Sequence, residues 1–172
     1  MEKILVTGAI ASGKSEVCRY LESKGYPIYY SDARTKSLYN SVPGLKERIE
    51  KELEIDFEEI AVIFKDDVKR QKLEDIVYPI VVEDFKNWMS GQTADSVVFE
   101  SAIALEKRQF DGLFDKVILV KADIRTRISR NSKVIERNHI QNPDESKADF
   151  VIENDSDIEA LHKTIDSVLS LK

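Results

Sequence analysis

Cysteine occurs once in the chain and histidine twice. A single thiol closes no internal disulfide, so a stapled secreted scaffold is excluded and a reducing compartment fits. One thiol and two imidazoles also fall short of a four-ligand His/Cys zinc site. With only 4 prolines and 6 glycines in 172 residues, collagenous and low-complexity chains are excluded. Long apolar runs are missing. The densest, Ile76 to Val82, contains Pro79 and is far shorter than a membrane span. The opening Met1-Glu2-Lys3 leads into Ile4-Leu5-Val6 and then a glycine-containing turn, too short for a signal-peptide core. Positive charge is in deficit, with 26 Lys and Arg against 32 Asp and Glu, a net −6. That balance disfavours a nucleic-acid footprint but leaves room for a small basic pocket that takes an anion. The hydrophobic fraction of 42% builds one ordinary core. The chain reads as a soluble, cytoplasmic single domain with neither membrane nor nucleic acid as partner.

Five apolar runs read as strands: Lys3 to Thr7, Tyr26 to Tyr30, Ser96 to Glu100, Lys116 to Lys121 and Asp149 to Ile152. Several are continuous rather than alternating, which suits strands covered on both faces. Helical spacing fills the gaps between them, so the expected fold is α/β with a five-stranded, mainly parallel sheet. Val17, Cys18 and Leu21 share one helix face. Leu73, Ile76, Val77, Ile80, Val81, Phe85 and Trp88 form a second stripe, interrupted by Pro79, which predicts two helices meeting there or one kinked helix. A last stripe, Ile158, Leu161, Ile165, Val168 and Leu169, follows a capping-box pattern at Ser156 and Glu159. The charged stretch from Lys46 to Asp75 reads as exposed helices.

The most specific signal is Gly8-Ala9-Ile10-Ala11-Ser12-Gly13-Lys14-Ser15, a full match to the P-loop pattern Gly-x4-Gly-Lys-Ser/Thr. A strand precedes it and a helical pattern follows. In that context the loop amides and the helix N-terminus converge on a phosphate, and Gly13 lets the backbone approach closely. Lys14 offers an ammonium to the β- and γ-oxygens, and the Ser15 hydroxyl is a Mg²⁺ ligand. Gly8 through Ser15, together with Glu16, are the candidate ATP contacts. No glycine has Asp three positions before it and no Asn-Lys pair occurs, so the GTPase signatures are absent. The combination points to a small-molecule kinase of the three-layer P-loop nucleoside-triphosphate-hydrolase type.

Three further features have two readings each. Asp32, after the second strand, is either the carboxylate that takes a proton from the acceptor hydroxyl or a helix N-cap. Glu100, closing Val97-Val98-Phe99, is either a carboxylate that reaches Mg²⁺ through water or an ordinary solvated strand end. Arg125, Arg127, Arg130 and Arg137 belong either to a lid over about 125–141 that neutralises developing charge or to a solvated helix face. Cys18 reads as a buried, inert thiol, and His139 and His162 as isolated.

Taken in order along the chain, these residues resemble the dephospho-CoA kinase family. That family opens Thr-Gly-Gly-Ile-Gly-Ser-Gly-Lys-Ser, and this chain has Thr7-Gly8-Ala9-Ile10-Ala11-Ser12-Gly13-Lys14-Ser15. The family's Asp-Ala-Asp falls on Tyr30-Ser31-Asp32, so the second Asp, its base, carries over to Asp32. Leu-Glu-x-x-x-His-Pro becomes Leu73-Glu74-Asp75-Ile76-Val77-Tyr78-Pro79, with Tyr in place of His. Arg-x-x-x-Gln matches Arg137 and Gln141, and the closing Ala-Asp-x-x-Ile-x-Asn matches Ala148 to Asn154. The resemblance implies transfer of the ATP γ-phosphoryl group to the ribose 3′-hydroxyl of dephospho-CoA, with Mg²⁺. It implies Lys14, Asp32 and a lid arginine (Arg130 first, Arg137 second) as catalytic groups. Arg137 and Asn154 join the ATP contacts, and Ser15 and Glu100 the metal. It also implies a helical substrate-binding insertion over about 37–89. The residues by themselves reach only a Mg-ATP-dependent kinase. A different small acceptor, such as a nucleoside monophosphate, stays open, as does a nucleotide-binding module without turnover.

Overall fold

The structure is a computed structural model that describes residues 1–137 and 143–170, apart from the side chains of Phe64, Glu136 and Arg137. In chain order the elements are β1 (Glu2–Thr7), α1 (Lys14–Ser23), β2 (Ile28–Tyr30), α2 (Ser31–Ser41), α3 (Leu45–Leu53), a 3-10 segment (Phe57–Lys65) and α4 (Asp67–Ser90). There follow β3 (Ser96–Glu100), β4 (Lys116–Lys121), α5 (Ile124–Arg130), α6 (Val134–Arg137), β5 (Phe150–Glu153) and α7 (Ile158–Ser170), with short 3-10 turns between. They divide into two compact units: Met1–Tyr30 with Gln92–Lys172, and Ser31–Gly91.

The first unit holds the sheet. All strands are parallel, in the order β2-β3-β1-β4-β5. β1 is central: Val6 pairs with Glu100 on one side and Ile118 on the other. Strand alternation sends Ile4 and Val6 to the face where Val98, Ile118, Val120 and Ile152 meet Val17, Cys18 and Leu21 of α1 and Leu161, Ile165 and Val168 of α7. The opposite face carries Leu5, Val97, Phe99 and Leu119, all essentially buried. There Phe99 stacks on Tyr29 at 5.0 Å and meets Phe110 and Phe114 at 5.6 and 5.2 Å. Full burial of such side chains is worth about 1.5–3 kcal/mol each, and it explains why these strands are continuous apolar runs.

β1 begins one residue earlier than the sequence reading, at Glu2, and β5 is displaced by one residue, to Phe150–Glu153; two further boundaries differ for a physical reason. β2 starts at Ile28 rather than Tyr26, because Pro27 has no N–H for the ladder and contributes only its carbonyl, which accepts from Val98 at 2.9 Å. The cap of α7 is Asp157, not Ser156. Its carboxylate accepts the Ala160 amide at 2.9 Å, and Ile158, placed in the core stripe by spacing, is 53% exposed.

The second unit is helical. Leu38, Leu45, Ile49, Leu53, Ile63, Leu73, Ile76, Val77, Val81 and Phe85 form its buried core. Arg34 donates two bonds to the Asp84 carboxylate, at 2.9 and 2.7 Å, tying α2 to α4. Asp66 caps α4 by accepting the Val68 and Lys69 amides, both at 3.0 Å. α4 runs unbroken through Pro79, so the two-helix option is not realised. Burial on both sides of the proline outweighs the one backbone bond it removes. No described helix is long and apolar enough to cross a membrane.

Candidate active site

The carboxyl end of the central strand is where the chain changes direction across the sheet, the place where open α/β sheets bind ligands. β1 stops at Thr7 and the loop begins with Gly8 at φ 147°. A Cβ on Gly8 would lie 2.2 Å from the Val120 carbonyl oxygen, so only glycine fits. Gly13, at φ 107°, precedes α1, and a Cβ there would lie 2.0 Å from Asn154 Nδ2. Between them the Ser12 amide donates to the Ala9 carbonyl at 3.1 Å. Ala11 sits at φ 63°, a left-handed conformation that costs a residue with a Cβ about 1–2 kcal/mol.

Four side chains hold the loop carbonyls. Asn154 Nδ2, beyond β5, donates to Ser12 at 2.8 Å. Arg130 donates to Ala11 and Ser12 at 3.3 and 3.5 Å, and to the Asn154 carbonyl at 3.1 Å. Arg127 Nε donates to Ile10 at 3.0 Å. Lys14 Nζ reaches Ala9 at 3.4 Å and stands 4.0 Å from Glu100 Oε1. Lys14 and Glu100 are both largely buried, with side-chain exposures of 10% and 12%. A cavity of about 570 Å³ opens beside the loop, lined among others by Ser15, Glu16, Arg130, Asn131, Asn154 and Ile158. Glu16 also pairs with Arg19.

These residues fit a polyphosphate. The hydroxyls of Thr7 and Ser12 and the Arg127 Nη2 are buried without a hydrogen-bond partner. They are capacity that a buried site retains for a ligand. Among the described residues no cluster of three or more His, Cys, Asp or Glu side chains could cage a metal. Mg²⁺ is bound in protein sites through one or two oxygen ligands while phosphates and water complete the shell. Ser15, on the cavity wall, and Glu100, beside Lys14, each present a side-chain oxygen of the kind such an ion takes.

Burial, reinforced by Glu100, pushes the Cys18 thiol well up, which leaves it protonated and inert. Tyr30, at the end of β2, is pushed up to about 12, first by burial and then by Cys18. Arg137 closes α6, but its side chain lies outside the described residues, as do His139 and Gln141 entirely.

Asp32 belongs to the helical unit. It is exposed in the first turn of α2, which begins at Ser31, so it is not the N-cap. Tyr39, pushed up to about 12, and Tyr78, pushed higher, owe this first to burial, and the Asp32 carboxylate adds to both. The same effect on Tyr78 comes from Glu74.

Arg127, expected in a lid or on a solvated helix face, is buried instead. Its spacing of three from Arg130 puts both on one face of α5, the signal in the sequence for a shared environment.

Residues 3–160 match the family described as dephospho-CoA kinase. The dephospho-CoA kinase of Fusobacterium nucleatum is 29% identical, over 94% of this chain and 93% of its own length. A crystal structure of a Thermus thermophilus protein superposes with a TM-score of 0.82 at 28% identity, covering 99% of this chain and 98% of that one. The dephospho-CoA kinase of Campylobacter jejuni shares the fold, with a TM-score of 0.63 at 19% identity over 99% and 96% of the two chains. With the loop, the strand order and the rim residues all inside the matched span, the chain belongs to the dephospho-CoA kinase family.

Proposed function

We propose that the loop from Gly8 to Ser15, with Glu100 and Asp32, carries out the reaction of this family. The γ-phosphoryl group of ATP is transferred to the ribose 3′-hydroxyl of dephospho-CoA, giving coenzyme A and ADP. The observation that carries this reading is the loop itself. It is a glycine-flanked turn on the central strand with buried, unpartnered hydroxyls and a buried lysine beside a carboxylate.

Lys14 and the loop amides hold the β- and γ-oxygens, and Glu16, Arg137 and Asn154 complete the nucleotide contacts. Ile158 and Leu161 give the cavity an apolar wall beside the amide groups of Asn131 and Asn154. That mixture suits a flat heteroaromatic base. Ser15 and Glu100 would hold Mg²⁺, which supplies charge neutralisation at the phosphates. Asp32 orients the acceptor hydroxyl and takes its proton as the new O–P bond forms. The assignment rests on its match to the family's base and on its position two residues after β2. Arg130 neutralises charge on the transferring group, with Arg137 as second choice, in a lid over about 125–141. The helices over about 37–89 receive the CoA portion of the acceptor. We assign the reaction to the cytoplasm, where the reduced Cys18 persists, with small molecules and no nucleic acid as partners. A net charge of −6 supports that choice.

The test is ADP release from Mg-ATP with dephospho-CoA and with a panel of nucleoside monophosphates. Turnover confined to dephospho-CoA is the expected outcome. Turnover with a monophosphate alone, or nucleotide binding without turnover on any acceptor, contradicts the assignment.

A further inference from the structure

Arg127 lies in α5 and is 9% exposed. Its Nε is bound to the Ile10 carbonyl and its Nη2 has no hydrogen-bond partner. Among the described residues no carboxylate lies within ion-pair distance of it, and burial lowers its pKa. A buried cation without a countercharge is unfavourable unless the protein gains from it elsewhere. The gain is visible in the loop. A trans peptide is planar, so the carbonyl of one residue and the N–H of the next point in opposite directions. Ile10 and Ser12 have their carbonyls held by Arg127 and Asn154. The amides turned the other way are those of Ala11 and Gly13, and neither has a protein partner among the described residues. The same grip spans Ala11, whose left-handed backbone the loop maintains although a Cβ is present.

We infer that Arg127 is a positioning residue of the phosphate loop: by gripping the Ile10 carbonyl it turns the Ala11 amide toward the phosphates and counters the strain at Ala11. Bound polyphosphate in turn supplies the negative charge that the buried guanidinium lacks. The inference rests on the loop being the phosphate site, as proposed above.

The test uses the full chain and Mg-ADP as the calorimetric probe, alongside steady-state kinetics. Arg127→Met is expected to raise the ADP Kd and the KM for ATP by about tenfold or more, the size of one bond to a charged group. The KM for dephospho-CoA should stay within about twofold, a split that general destabilisation does not produce. Adding Ala11→Gly to Arg127→Met should recover about threefold or more of the ADP affinity, because the loop then reaches its conformation without strain. If Arg127→Met is unfolded at the assay temperature, Arg127→Lys and Arg127→Gln carry the same comparison. An ADP Kd within about twofold of the parent, or no recovery on adding Ala11→Gly, overturns the inference. Lys14→Ala separates the two levels. If it loses ADP affinity while Arg127→Met keeps it, only the role of Arg127 falls. If neither changes affinity, the phosphate-site reading falls as well.

Discussion

The sheet unit and the helical unit build their chemistry in different ways. In the sheet unit, eight consecutive residues from Gly8 to Ser15 follow a buried strand and set the turn, which Arg127, Arg130 and Asn154 then hold. Gly8 and Gly13 occupy backbone positions that a Cβ would block. In the helical unit no short string sets anything comparable. Asp32 gains its surroundings from Tyr39 and Tyr78, 7 and 46 residues further on, whose phenols feel its charge. A phosphate is the same object in every such kinase, and a local string supplies the groups that face it. A large acceptor needs a surface assembled from several helices, and so the code is spread.

The contrast is best broken at its strongest point. Asp32→Asn removes the proposed base and should slow turnover about 10²- to 10⁴-fold while Mg-ATP still binds, as measured by single-turnover kinetics and calorimetry. Activity within a few-fold of the parent would confine the chemistry to the sheet unit. Phe85→Ala empties a fully buried site in α4 and should cost about 3–5 kcal/mol in urea unfolding. A loss below 1 kcal/mol would mean that the helical core is loosely packed. Lys14→Ala should lower kcat/KM about 10²-fold, mainly through the step that develops charge, as measured by steady-state kinetics. The smallest effect is Ala11→Gly, which relieves the left-handed alanine. It should stabilise the chain by about 0.5–1 kcal/mol, seen as a rise in Tm.

The two units also differ in how much the sequence discloses. All five strands are legible because parallel strands covered on both faces become continuous apolar runs, as in Lys116–Lys121. The loop is legible because its glycines answer a steric demand. Ends of elements are less so. The pattern Ser156-x-x-Glu159 satisfies a capping rule, yet Asp157 wins because its carboxylate reaches the Ala160 amide. Asp32 resembles a cap by residue type, and α2 starts one residue earlier. Pro79 reads as a break, while packing along α4 carries the helix through it. The burial of Arg127 is the least legible feature, since a charged residue in an arginine-rich stretch is ordinarily solvated. Its burial depends on the loop more than a hundred residues away in sequence.

The most direct measurement follows the backbone amides of the labelled protein by NMR while Mg-ADP is added. The account predicts that the Ala11 and Gly13 amide resonances move the most, downfield as each N–H takes a phosphate oxygen, and that Lys14→Ala weakens the titration. Saturable shifts confined to residues outside Gly8–Glu16, with Ala11 and Gly13 unmoved, would contradict it.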